Sequence, residues 1–347
     1  MNSQLNDTVY KSGKVIPATM GCRTYVLTDI NGEPCTEGRG NIAPVTINLP
    51  RLGILANKDI NKFFNMLDEK IELCKDNLLH RYNVLKGLKV KDLPFVCGEG
   101  LIKGSEDLNP DDSIEPILKH GTYGIGFIGI AETLVALTGK HHGESKECWD
   151  LAYKIVSRIR EKCDEYKQQY KLNFSCYASP AEGLSGRFTR IDKKIYGEIP
   201  GVTDHNYYTN SYHIPVDYQI SITDKIAAEG PFHPLCNGGH ISYIEVDDYP
   251  SSELIEQIIT TAFERGDMSY MGINFAIRYC KDCGTYMHNE EECPHCGSRN
   301  IQGVSRVTGY LALNERFTVG FGKGEEKANR ISHNRDDHYI AYRKDNH

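Results

Sequence analysis

Between Asp59 and about Leu85, apolar side chains at Ile60, Phe63, Phe64, Leu67 and Ile71 recur three or four residues apart, which predicts a long amphipathic helix. Upstream, residues 1–57 read as irregular and then extended. TMGCRTYVLTD is followed by the glycine-rich link NGEPCTEGRGN and the β-prone run IAPVTINLPRL, a loop or hairpin leading into a buried strand. A second helix pair is predicted within 114–170, with Ile125 to Leu137 as an apolar member and Lys146 to about Tyr170 as a longer, charged one. NFSCYASP (173–180) reads as a short buried strand. Residues 181–218, rich in Gly, Tyr, Asn and His, read as long functional loops. HISYIEVD is a predicted strand, SSELIEQIITTAFERG a helix opened by a Ser cap, and INFAIRY the last strand. No internal repeat or low-complexity tract is present. Strands alternating with helices indicate an α/β architecture with parallel strands.

Composition narrows the function classes. The 347 residues are 39% hydrophobic and 25% charged, so the chain can bury a core. With 40 Lys+Arg against 47 Asp+Glu the formal net charge is −7, which disfavours a general polyanion binder and direct nucleic-acid contact. No apolar run reaches the roughly 18–20 residues of a membrane span. The most apolar stretch, GIGFIGIAETLVALTG, carries Glu132 and reads as a buried helix. The N-terminus lacks the apolar core of a secretory signal, so a cytoplasmic protein without membrane partners is expected.

Twelve cysteines are present, and eight stand alone: Cys22, Cys35, Cys74, Cys97, Cys148, Cys163, Cys176 and Cys236. A long chain with scattered thiols fits a reducing compartment better than a disulfide scaffold. The other four form Cys280-Lys-Asp-Cys283, a nine-residue spacer, and Cys293-Pro-His-Cys296. Two such knuckles turn four thiolates toward one point and predict a tetrahedral zinc site, with an iron–sulfur cluster as the rival. Four protein ligands leave no open coordination position, so the zinc would be structural. The spacer TYMHNEEE is acidic and lacks the basic–aromatic surface of a nucleic-acid-binding ribbon. Thirteen residues after Cys296, Gly309 sits in Arg306-Val307-Thr308-Gly309-Tyr310. Thr209, Asn210, Ser211 and His213 offer donors suited to a phosphate or ribose, and Gly238 and Gly239 could let backbone N–H groups approach an anion.

Three landmarks in order carry a resemblance: Met20-Gly21-Cys22-Arg23; Gly38-Arg39-Gly40-Asn41 leading into Thr46-Ile47-Asn48-Leu49-Pro50-Arg51; and the tetracysteine knuckle before Arg306-Val307-Thr308-Gly309-Tyr310. Together they span about residues 17–312, and the chain resembles the C-terminal half of anaerobic (class III) ribonucleoside-triphosphate reductases, which are glycyl radical enzymes. The resemblance implies the second half of a ten-stranded α/β barrel over 1–275 with a Cys-bearing finger loop at about 17–24. A four-cysteine zinc knuckle over 276–300 and a glycyl radical loop and tail over 301–347 complete it.

It further implies that Gly309 stores a Cα radical generated by a separate activase that uses S-adenosylmethionine and a 4Fe–4S cluster. Glycine suits this, because its Cα can become planar without a side chain. Cys22 would become the thiyl radical that abstracts the ribose 3′-hydrogen, Asn41 would lie near the ribose hydroxyls, and Met20 marks formate as reductant. The reaction replaces the 2′-hydroxyl of a ribonucleoside triphosphate with hydrogen. The family's chain is usually much longer, so a partner supplying the N-terminal barrel half and an allosteric domain is expected, in an enzyme that is a homodimer when complete. A split subunit, a fragment and a remnant all remain open. A lyase-type glycyl radical enzyme is not expected to carry this knuckle, and a zinc-ribbon binding module is disfavoured by its acidic spacer.

Overall fold

The computed structural model describes residues 19–21, 23–26, 29–33, 35–247, 249–317 and 322–333. Two short strands, β1 (Thr19–Met20) and β2 (Thr24–Tyr25), pair antiparallel as a hairpin. The sheet begins with β3 (Asn41–Asn48), which ends where Asn48 caps α1 (Leu49–Ala56) by accepting the Arg51 N–H. Helix α2 (Ile60–Leu85) follows, capped by Asp59, which accepts the Lys62 N–H at 2.9 Å. Of the predicted stripe, Phe63, Leu67 and Ile71 are buried, continued by Cys74 and Leu78, whereas Phe64 is half-buried and Ile60 exposed at the first turn. A short α3 (Glu115–Leu118) precedes β4 (Thr122–Ile128); α4 (Ile130–Thr138) and α5 (Lys146–Tyr170) then lead to β5 (Asn173–Ala178).

Strands β3, β4 and β5 pair in parallel in that order. Side chains alternate across a strand, and the two faces differ in chemistry. On one face Ala43, Ile47, Tyr123, Ile125, Phe127, Phe174, Cys176 and Ala178 join the helices in one apolar core. Each of the Ile and Phe side chains taken from water contributes about 1.5–3 kcal/mol. The other face is small and polar. Thr46 Oγ1 lies 3.3 Å from the Tyr177 hydroxyl and 2.8 Å from Ser179 Oγ.

Beyond β5 come α6 (Leu184–Tyr196), α7 (Ile222–Glu229) and β6 (Ser242–Glu245), which pairs in parallel with β7 (Met271–Asn274) across α8 (Ser252–Arg265). A parallel bridge between Tyr177 and Gly239, with the Ala178 N–H donating to Gly239 O at 2.9 Å, ties the segment entering β6 to β5. Among the described residues β3 has a strand partner on one side only. Four short strands, β8 (Ile277–Cys280), β9 (Tyr286–Met287), β10 (Ile301–Arg306) and β11 (Leu311–Leu313), form an antiparallel sheet in the order β11-β10-β8-β9. Helix α9 (Lys323–Asn329) is the last element described. No helix among the described residues is long and apolar enough to cross a membrane.

Three predicted elements differ from the observed ones. Ile125–Leu137 is not one helix: Ile125–Ile128 completes β4, Gly129 turns the chain at φ +80°, and α4 starts at Ile130. A strand buried on both faces is apolar throughout, so periodicity does not separate it from a buried helix. Residues 181–218 are not all loop, because α6 lies within them. Its apolar residues Leu184, Phe188, Ile191 and Ile195 do recur at helical spacing, but its buried positions, Ser185, Gly186, Thr189 and Asp192, are small or polar. INFAIRY divides between β7 and β8, in different sheets.

Several buried histidines set a pH limit on stability. Burial lowers His213 and His240 to about 4, and His142 and His333 to about 3, so all four fold neutral. The unfolded chain takes up these protons near pH 6.5. Their contribution is therefore complete above about pH 6.5 and is lost as pH falls toward 4. Urea titrations at pH 7 and pH 5 are expected to show at least about 2 kcal/mol lower stability at the lower pH.

Candidate functional site

The cysteine pairs form two similar turns. The Gly284 N–H donates to Cys280 O and the Gly297 N–H to Cys293 O, and both glycines hold left-handed torsions at φ +79° and +71°. The four Sγ atoms of Cys280, Cys283, Cys293 and Cys296 all lie within 4.8 Å of one another. Cys280 and Cys296 are 3.7 Å apart and Cys283 and Cys293 3.5 Å. A tetrahedral zinc with bonds of about 2.3 Å requires sulfurs about 3.8 Å apart. The donor set and spacing therefore fit a metal such as zinc.

That centre lies at the base of a hairpin. Cys280 ends β8, β8 pairs with β10, and β10 pairs with β11. Gly309 occupies the turn between β10 and β11, closed by the Val307 N–H donating to Tyr310 O at 2.9 Å. Gly309 and Tyr310 are exposed, whereas Thr308 is fully buried. The Thr308 hydroxyl donates to Glu182, and its carbonyl accepts from the Tyr243 hydroxyl. Arg306 stacks its guanidinium 3.4 Å above the Tyr243 ring and meets Glu245 at 3.1 Å. From the other side Arg330 donates to the Arg306 and Val307 carbonyls at 2.9 and 3.4 Å and pairs with Glu326 at 3.0 Å. Burial alone would raise the Glu326 carboxyl, but Lys323, Arg330 and Arg306 hold it down at about 2. A cavity of about 730 Å³ opens beside the turn, walled by Glu182, Val304, Val307, Tyr310, Phe317 and Lys323.

The β1–β2 hairpin reaches the same place. Cys22 lies outside the described residues, but its neighbours Gly21 and Arg23 are described. Arg23 is fully buried and its Nη1 donates to Ser179 O at 3.3 Å, a carbonyl that also accepts the Ser211 hydroxyl at 3.1 Å. Ser179 and Glu182 are three residues apart, a span of at most about 11 Å. The residue after Cys22 and the residue before Gly309 thus anchor on one short segment, at the C-terminal end of a parallel strand, where α/β folds place their sites. Glu182 is not singled out by any sequence pattern. An acidic residue just past a predicted parallel strand was the available signal.

The remaining candidates divide. Thr209 and Ser211 brace α4, their carbonyls accepting the Gly129 and Ile130 N–H groups, and His213 Nε2 sits 2.7 Å from Ile241 O. Asn210, oriented by its neighbours, donates to Pro180 O and accepts from Lys323 Nζ, each at 3.2 Å. Gly238 and Gly239 do not form an anion cradle. Their N–H groups are already donated to Cys176 O at 2.7 Å and Cys236 O at 3.1 Å. Gly239 is needed for close approach instead: at φ +146°, a Cβ there would run into the Arg23 carbonyl. Met20 belongs to β1. A bulge after Asn41 turns its side chain to accept the Thr122 hydroxyl on the polar face. Asn41 begins β3, about 23 Å of strand from Asn48.

A family model described as anaerobic ribonucleoside-triphosphate reductase matches residues 1–333. The chain is 35% identical over 344 residues to the anaerobic ribonucleoside-triphosphate reductase of Escherichia coli (strain K12), covering 94% of this chain and 47% of that protein. It is 32% identical over 340 residues to that of Enterobacteria phage T4, covering 93% and 54%. Among solved structures, an anaerobic ribonucleotide reductase superposes with a TM-score of 0.70 at 20% identity, over 88% of this chain and 46% of that one. The anaerobic ribonucleotide reductase from Thermotoga maritima does so with 0.66 at 21% identity, over 87% and 45%. The chain spans about half the length of the curated relatives it matches.

Purified under reducing conditions, the chain is expected to carry one metal ion, measured by elemental analysis. Chelation or Cys280→Ser should speed amide exchange in Ile301–Arg306 by on the order of tenfold or more, while β4 and β5 stay protected.

Proposed function

The chain belongs to the anaerobic ribonucleoside-triphosphate reductase family, and from that premise we propose that it is the catalytic C-terminal portion of such an enzyme. Gly309 stores the radical. Cys22, which lies between β1 and β2 in the sequence, exchanges a hydrogen atom with it and then takes the 3′-hydrogen of a ribonucleoside triphosphate. The protonated 2′-hydroxyl leaves as water, and formate, oxidised to carbon dioxide, supplies the two reducing equivalents. The observation that carries this reading is the shared anchorage: Arg23 on Ser179 and Thr308 on Glu182, three residues apart. A thiol S–H and a glycine Cα–H are close enough in bond strength for the transfer to run in both directions, so proximity is what the fold must supply.

The chain's own residues then have distinct tasks. Glu182 and Tyr243 hold the Thr308 hydroxyl and carbonyl, which fixes the torsions entering Gly309. Arg306 and Arg330 keep the hairpin against β6 and α9. A zinc ion on Cys280, Cys283, Cys293 and Cys296 supplies rigidity at the base of the hairpin. Met20 supports formate as the reductant on the ground of the resemblance alone.

The radical is proposed to come from an activase that uses S-adenosylmethionine and an iron–sulfur cluster. The polypeptide corresponding to the other half of the relatives' length is proposed to pair with the free side of β3 and to cover the exposed Gly309 turn. The four-cysteine centre directly beneath the glycine hairpin favours this reading over a lyase of the same fold.

Anaerobic activation is expected to give an electron paramagnetic resonance signal that Gly309→Ala abolishes and Cys22→Ser retains, with turnover undetectable in both. Air should then cut the activated chain at Gly309 and release the 38 residues from Tyr310 to His347, seen by mass spectrometry. Turnover retained by Cys22→Ser would refute the assignment.

A further inference from the structure

We propose that the cleft between α4 and the 199–218 loops binds a linear aliphatic polyammonium ion, a diamine or a polyamine. The inference is independent of the reductase reading. The cleft has a volume of about 400 Å³, within the range of small-ligand sites. Glu132, Glu144, Asp204 and Asp217 line it, and among the described residues no lysine or arginine does. Tyr207 and Tyr218 add aromatic surface, which attracts cations. His205 stacks on Tyr207 with centroids 5.3 Å apart, and His141 stands edge-on to Tyr218 at 4.6 Å.

Glu132 points to a ligand independently of that charge. It is 8% exposed, its Oε1 accepts the Thr209 N–H at 2.6 Å, and its Oε2 is buried without a hydrogen-bond partner. A buried carboxylate oxygen left without a donor is costly. Burial pushes this carboxyl above its usual range although Thr209, the local backbone and His205 all pull it down. An ammonium group entering from the cleft supplies the missing donor and a compensating charge. The other carboxylates engage one oxygen each. Glu144 accepts the His141 N–H at 2.7 Å, Asp204 accepts the Gly201 N–H at 2.8 Å, and Asp217 lies 3.6 Å from His205 Nε2.

The spacing of these groups selects the kind of cation. A bare divalent ion needs several oxygens converging on one point. Among the described residues, only the four clustered cysteines bring three or more such ligand atoms within 4.8 Å of one another. Here the acids are spread around the cleft, and Ala131, Val135, Pro200 and Val202 lie between them. Charges separated by apolar wall match ammonium groups separated by methylenes.

Calorimetric titration of the purified full chain with spermidine, putrescine, Mg²⁺ and tetralysine tests the site. Spermidine is expected to saturate one site per chain. Glu132→Gln and Asp217→Asn should each weaken it by on the order of tenfold or more. Val135→Lys, which tethers an ammonium to the wall, should abolish binding while thermal melts stay cooperative. If Glu132→Gln does not fold, the other two variants decide. The proposal is overturned by absence of saturable binding, by binding unchanged in the folded variants, or by tighter binding of Mg²⁺ or tetralysine than of spermidine.

Discussion

The carbonyl of Ser179 and the carboxylate of Glu182, on the short segment that leaves β5, are the fixed points on which the site depends. Ser179 O accepts from both Arg23 and Ser211, and Glu182 accepts from Thr308. The hairpin around position 22, the 209–213 loop and the glycine turn come from three distant parts of the sequence and have little else in common. They meet there because a parallel strand ends with backbone groups unpaired by the sheet, at the edge where connecting loops gather. Shifting that segment would release all three at once.

The glycine hairpin is held in two different ways. At its base, four cysteines on two similar turns are gathered where one metal ion can join them, and β8 carries that rigidity into β10. Along its side, Arg306, Glu245, Arg330 and Glu326 form a largely buried network. Buried ion pairs repay their desolvation poorly, so such a network contributes definition of position more than stability. Between the two anchors Gly309, Tyr310 and Leu311 are exposed. The Gly309 backbone carbon, proposed to store the radical, is thereby presented on a loop anchored on both sides.

The polar face of the β3–β4–β5 sheet follows the same logic. Thr46, Tyr177 and Ser179 hydrogen-bond across it, while the opposite face is apolar and covered by helices. Charge inside is kept paired: Lys225 and Glu229, both buried, meet at 2.6 Å, and although burial opposes it, Lys225 leads in holding the Glu229 carboxyl at about 2.

Much of this was legible in the residues alone. The three-to-four spacing of Phe63, Leu67 and Ile71, the Ser cap of SSELIEQIITTAFERG, and the paired CxxC turns are local signals, because helix period and ligand spacing act over a few residues. The order of MGCR, the tetracysteine pair and RVTGY was enough to place the chain in its family. Ile125–Ile128 was unreadable as a strand because burial on both faces removes alternation, whereas the helical period of Leu184, Phe188 and Ile191 in α6 stood in the sequence but was passed over among residues rich in Gly, Tyr, Asn and His. Glu182, Tyr243 and Arg330 as partners of one turn, and Gly238 and Gly239 as seam rather than cradle, were decided only by the tertiary structure. Those relations join residues far apart along the chain or depend on register, and sequence spacing carries no information about which strand ends meet until the sheet has formed.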